Sequence, residues 1–94
     1  MSDSAGENRG VLIDPKELRK IGFNGAVEGD GHKIMVQTEV LGRGHMIIRT
    51  VVLDRGVVQS TEEQPCPVTK DIELVRKTAK EQHERILEQQ KRGA

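Results

Sequence analysis

The sequence predicts an α+β fold, a small antiparallel meander of three to four β-strands with a short N-terminal helix and a long C-terminal α-helix. Three observations carry that prediction. Runs rich in β-branched residues recur between Phe23 and Ser60, a Leu-x-Arg-Gly motif occurs twice at a spacing of twelve residues, and apolar positions from Val68 onward recur at intervals of three and four. β-Branched side chains suit a pleated, half-buried surface. A three/four spacing marks one face of a helix.

Residues 1–10 hold almost nothing to bury and are expected to form a disordered tail. Residues 11–94 then make one domain. Within residues 11–22, Asp14-Pro15-Lys16-Glu17 reads as a helix start. Asp caps, Pro suits the first helical position, and Glu three residues after the cap closes the box. Leu18 and Ile21 face inward and Gly22 ends the turn.

Residues 23–60 form the meander. Gly25, Gly29 and Gly31 interrupt its opening, so Phe23 to Val27 is at best a weak edge strand. Stronger strands follow at Lys33–Leu41, His45–Leu53 and Val57–Ser60. The repeated motif, Leu41-Gly42-Arg43-Gly44 and Leu53-Asp54-Arg55-Gly56, suggests two three-residue hairpin loops with Gly44 and Gly56 left-handed. That register sets Val40 opposite Met46, Thr38 opposite Ile48 and Val52 opposite Val58. Alternation then gathers Ile34, Val36, Thr38, Val40, Met46, Ile48, Thr50, Val52 and Val58 on one apolar face. The other face is mixed, with Met35, Leu41, Ile47, Val51, Leu53 and Val57 beside Gln37, Glu39 and Arg49.

Residues 61–67 read as a linker, because Pro65-Cys66-Pro67 cannot join a central strand. Over residues 68–91 the line Val68, Ile72, Val75, Ala79, Gln82, Ile86 predicts a helix of about twenty residues capped by Thr69. Lys91 and Arg92 complement the negative end of its dipole.

Composition narrows the function. Fifteen basic and fifteen acidic side chains cancel, and one Phe is the whole aromatic complement of 94 residues. Nucleic-acid binders rely on excess cationic charge and on stacking platforms, so nucleic acid is a disfavoured partner. A single cysteine excludes an internal disulfide and fits a reducing, cytoplasmic setting. Met1-Ser2-Asp3-Ser4 is acidic and polar, so no secretory leader is expected, and no apolar run approaches the roughly 20 residues that span a bilayer.

No cofactor or metal is expected. Cys66 precedes a helix start, but no motif sets a base beside it, and an inert, partly buried thiol is the better reading. His32, His45 and His83 lack the paired spacing of zinc ligands and read as solvated side chains. The glycines from Gly25 to Gly31 match no phosphate-loop pattern, and Glu28, Asp30 and Asp54 lack calcium-loop spacing. Glu39 and Arg49 are placed as a cross-strand ion pair.

With one helix to cover one sheet face, six apolar side chains on the other would stay wet, and such a surplus marks an interface. The sequence therefore points to a non-enzymatic protein–protein interaction or regulatory module. It is expected to pair with itself as a homodimer and to contact another protein. The candidate contact residues are Met35, Leu41, Ile47, Arg49, Val51, Leu53 and Val57 on the sheet, with Val75, Ala79 and Ile86 on the helix. A nucleic-acid-associated protein, using Arg76, Lys77, Lys80, Arg85, Lys91 and Arg92 as a basic strip, is the first alternative. A small thiol enzyme built on Cys66 is the second.

Overall fold

In the computed structural model, which describes residues 12–29, 31–43 and 45–93, the chain forms an α+β fold. A short helix α1 (Pro15–Leu18) leads into an antiparallel meander of β1 (Gly22–Gly29), β2 (His32–Arg43), β3 (His45–Asp54) and β4 (Val57–Pro65). A long helix α2 (Ile72–Gly93) closes one face. No helix among the described residues is long and apolar enough to cross a membrane. The expected tail and the left-handed Gly44 lie outside the described residues.

Helix α1 is one turn. The Asp14 carboxylate accepts from the Lys16 amide at 2.9 Å, and Pro15 takes the first helical position. Leu18 is buried, but Ile21 reaches the core from the turn that follows the helix, its amide bonded to the Leu18 carbonyl at 3.0 Å, and Gly22 opens β1. β1 is a full edge strand of eight residues paired throughout with β2. Its glycines weaken it, but at one of them the helix above leaves little room for a side chain. A Cβ on Gly25 would lie 3.2–3.3 Å from Leu87 and His83 of α2.

Both hairpins differ from the three-residue loops expected. Across β2 and β3, Val40 faces Ile48, Thr38 faces Thr50 and Gly42 faces Met46. The register is two residues from the expected one, so every side chain keeps its predicted face. Gly42 sits at φ 127°, where a Cβ would come within 2.5 Å of the His45 carbonyl oxygen. Between β3 and β4 the loop has two residues, Arg55 and Gly56, at φ 58° and 82°. Positive φ at both central positions is the type I′ geometry, whose twist matches that of the strands.

The shorter loop sets Val58 opposite Leu53 instead of Val52, and it stands 56% exposed, away from the core where it was expected. A bulge against Val52/Leu53 then shifts the register again, so that Ser60 faces Val52. Past the bulge β4 continues to Pro65, so most of the expected linker is strand. The Cys66 amide extends the pairing with a bond to the Met46 carbonyl at 3.0 Å.

The cap of α2 is Asp71 rather than Thr69. Its carboxylate accepts from the Glu73 amide at 3.0 Å, while Thr69 Oγ1 accepts from the Asp71 amide. Val75, Ala79, Gln82, His83 and Ile86 form the buried face of the helix. Val68, expected on that line, is 64% exposed ahead of the helix. The core has two apolar parts. Leu18, Ile21, Val40, Met46, Ile48, Cys66, Val75 and Ala79 form one, and Val36, Val52 and Ile86 form the other. Between them runs a polar band.

Candidate interaction surface and the polar band beneath the helix

The polar band follows from the strand register. Phe23, Thr38, Thr50 and Glu62 lie in one row across the four strands, and Gln82 and His83 come down on it from α2. Gln82 Nε2 donates to Thr50 Oγ1 at 2.9 Å and lies 3.4 and 3.3 Å from the Ile48 and Glu62 carbonyl oxygens. Carbonyls only accept, which fixes the amide orientation and leaves Gln82 Oε1 to accept from Gln64 Nε2. Thr50 Oγ1 shares a hydrogen bond with Thr38 Oγ1 at 2.7 Å, and Thr38 Oγ1 shares another with His83 Nδ1 at 2.8 Å. His83 thus ends a continuous hydrogen-bonded chain that starts at Gln64.

Burial pushes the His83 pKa below its ordinary value, against a smaller opposing pull from Glu84. The imidazole also packs on Phe23, ring centroids 5.7 Å apart. His83 and Gln82 are therefore core residues, 5% and 2% exposed. Gln82 stands on the inward line expected of it, whereas His83 was expected to be solvated. The signal available in the sequence was Thr38 and Thr50 on an otherwise apolar face, which need polar partners from whatever covers them.

On the opposite face the side chains fall into four rows. Leu41, Ile47 and Pro65 form an apolar row. Glu39, Arg49 and Glu63 form a charged one, followed by Asn24, Gln37, Val51 and Thr61. Ala26, Met35, Leu53 and Val58 complete the face as a second apolar row. Met35, Leu41, Ile47, Arg49, Val51 and Leu53 are half-buried by their strand neighbours, and no described element lies over them. Arg49 pairs with Glu63 on β4 at 2.7 Å rather than with Glu39. Beside Gly22 a cleft of about 310 Å³ opens between Arg19, Lys20, Asn24, Gln37 and Glu39.

The remaining candidates sit elsewhere. Val57 is 61% exposed, but it faces Asp54 at the end of the sheet rather than lying among the open-face rows. Val75, Ala79 and Ile86 are 0%, 0% and 4% exposed, so the chain's own core occupies them. Of the basic strip, Arg76 pairs with Glu73, Arg85 with Glu62 and Arg92 with Glu88.

Cys66 is 8% exposed, and burial pushes its thiol pKa up, which disfavours the thiolate. His32 joins Asp54 and Arg55 at one end of the sheet, and His45 begins β3 at the other. Among the described residues no three His, Cys, Asp or Glu side chains gather as metal ligands would. Compared with known proteins, the chain matches no family model, no curated protein and no solved structure.

Proposed function

We propose that this chain is a non-enzymatic protein-interaction module, homodimeric, which presents the open face of its sheet to another protein chain. One observation carries the proposal. The meander has two faces, α2 covers one, and the other offers two apolar rows flanking a charged and a polar one. Apolar area is worth about 25 cal/mol per Å² when removed from water, so covering Leu41, Ile47, Met35, Leu53 and Val58 supplies a driving force. The intervening Glu39, Arg49 and Glu63 would set orientation more than affinity.

Two measurements test this. Light scattering across a dilution series gives the solution mass, with a dimer expected and a monomer counting against self-association. A photo-reactive amino acid at Val51, the centre of the open face, is expected to capture a protein adduct in cell extract that the same group at Lys77, on exposed helix, does not. Equal or absent capture at Val51 would sink the binding face.

A further inference from the structure

The two edges of the sheet are built differently. Along β4 the register is broken by a bulge, Glu62 and Glu63 follow, and Pro65 ends the strand. These are the devices that keep exposed edges from pairing. β1 has none of them. Its eight residues pair with β2 without interruption, contain no proline and carry a single charge, Glu28. No described element lies along its outer side.

We propose that β1 pairs antiparallel with β1 of a second copy of this chain, about a two-fold axis at Gly25, joining two meanders into one continuous sheet. This rests on the homodimeric module proposed above and says where the dimer forms. Residues opposite one another share a face, so the axis must pass through a residue. An axis at Gly25 sets Phe23 against Val27, Asn24 against Ala26 and Gly22 against Glu28.

The neighbouring choices fit worse. An axis at Ala26 leaves Phe23 facing Gly29. One at Asn24 drives Phe23 onto Gly25, where Leu87 and His83 already fill the space above. With the axis at Gly25, half-buried Phe23 meets an apolar partner beneath the helices. Glu28, without an ion pair among the described residues, enters the second copy's cleft beside Gly22, where Arg19 and Lys20 outnumber the one acid, Glu39. Gly22 leaves room there, since a Cβ on it would meet nothing nearer than the Thr38 carbonyl oxygen at 3.5 Å.

The helices agree with the same axis. α2 packs over β1 and β2 alike. With strands about 4.8 Å apart, α2 and its mate would lie about 10 Å apart, close to the usual 8–10 Å of packed helices. Leu87 overlies Gly25, and so lies at the axis. Glu84 and Lys91 flank it by one turn on the same side, and neither has an ion pair among the described residues. Antiparallel mates bring Glu84 of one copy to Lys91 of the other.

Disulfide trapping tests the pairing in a Cys66→Ser background, with Asn24→Cys and Ala26→Cys chains prepared separately. Directly opposed residues lie about 4.5–5.5 Å apart, within disulfide reach, whereas like positions exceed the limit of about 7 Å. The mixture is expected to form a linked dimer and each chain alone is not. Equal linking in the single-variant samples overturns the register.

A sample that is dimeric by light scattering but does not link when mixed overturns the edge pairing and leaves the homodimer on another surface. A monomer at all concentrations removes the pairing and the homodimer together, while capture from position 51 still judges the binding face. Glu28→Lys is expected to weaken the dimer about two- to fivefold, and adding Lys20→Glu to restore it. An unchanged dissociation constant in Glu28→Lys overturns the proposed cleft contact.

Discussion

The two faces of this sheet come from the same strands and differ by one residue of phase. Ile48 is wholly buried and Ile47, its neighbour on β3, is half-exposed. The covered face is sealed by Val75, Ala79 and Ile86 at its apolar parts and by Gln82 and His83 across its middle. The open face has apolar rows of similar chemistry and nothing described above them. A small domain with few large side chains completes one core and leaves a second half-built. The unfinished half is where another chain can add burial.

Substituting the adjacent isoleucines would sharpen that contrast most. Ile48→Ala removes a fully buried side chain and should cost about 2–5 kcal/mol. Ile47→Ala, one position along the same strand, should cost under about 1 kcal/mol, the range of surface changes. Urea unfolding at equal protomer concentration measures both. Comparable losses would mean that the open face is covered in the protein in solution.

The polar band offers the next largest effect. Thr38→Val conserves shape but strands His83 Nδ1 and leaves Thr50 Oγ1 with Gln82 alone, so a loss of about 1–3 kcal/mol is expected. A change within a few tenths would show that water already serves those atoms.

The same band gives stability a pH dependence with a definite sign. The folded-state pKa of His83 is lowered, so above about 6.5, the unfolded value, the group is neutral in both states and its contribution is complete. As pH falls below that, the unfolded chain binds the proton first and stability drains away until the folded pKa is passed. The groups facing His83 are Phe23, Gly25 and Thr38 from the sheet and Leu87 and Glu84 from its own helix. The acid loss between pH 7 and 5 should be smaller in His83→Gln than in the parent chain, as followed by thermal melting. Equal slopes would assign the acid sensitivity to carboxylates instead.

The face assignments were legible in the sequence because they depend on parity alone. A register two residues from the expected one leaves Val36, Val40 and Ile48 inside all the same. What broke parity was the two-residue turn at Arg55-Gly56 in place of a three-residue loop, which moves Val58 from Val52 to Leu53 and so to the open face. The bulge at Val52/Leu53 then restores it by setting Ser60 opposite Val52. The length of β4 was hidden differently. Glu62 and Gln64 look like linker residues, yet they face α2 and meet Arg85 and Gln82 there. Polarity at the edge of a buried face is satisfied by polarity on the covering helix, and neither member announces the match alone. The open face was visible as a surplus of apolar residues. The undefended edge of β1 was not, because its glycines argue against a strand until Leu87 and His83 are seen resting on Gly25.

The smallest expected effect concerns the charged row of the open face. Arg49 Nε donates to the Glu63 carboxylate at 2.7 Å with both side chains partly open to solvent, 34% and 44%. Exposed pairs are worth about 0–1 kcal/mol because solvent screens them and side-chain entropy opposes them. Arg49→Ala should therefore leave the unfolding midpoint of the isolated protein nearly unchanged. Its influence should grow when the face is covered, since removing one member of a desolvated pair leaves the other charge buried without compensation. Glu39 and Glu63 flank Arg49 in that row, so its loss would leave two carboxylates facing whatever binds. A large stability loss in the isolated Arg49→Ala chain would mean that the row is already desolvated, and that the open face is closed before any partner arrives.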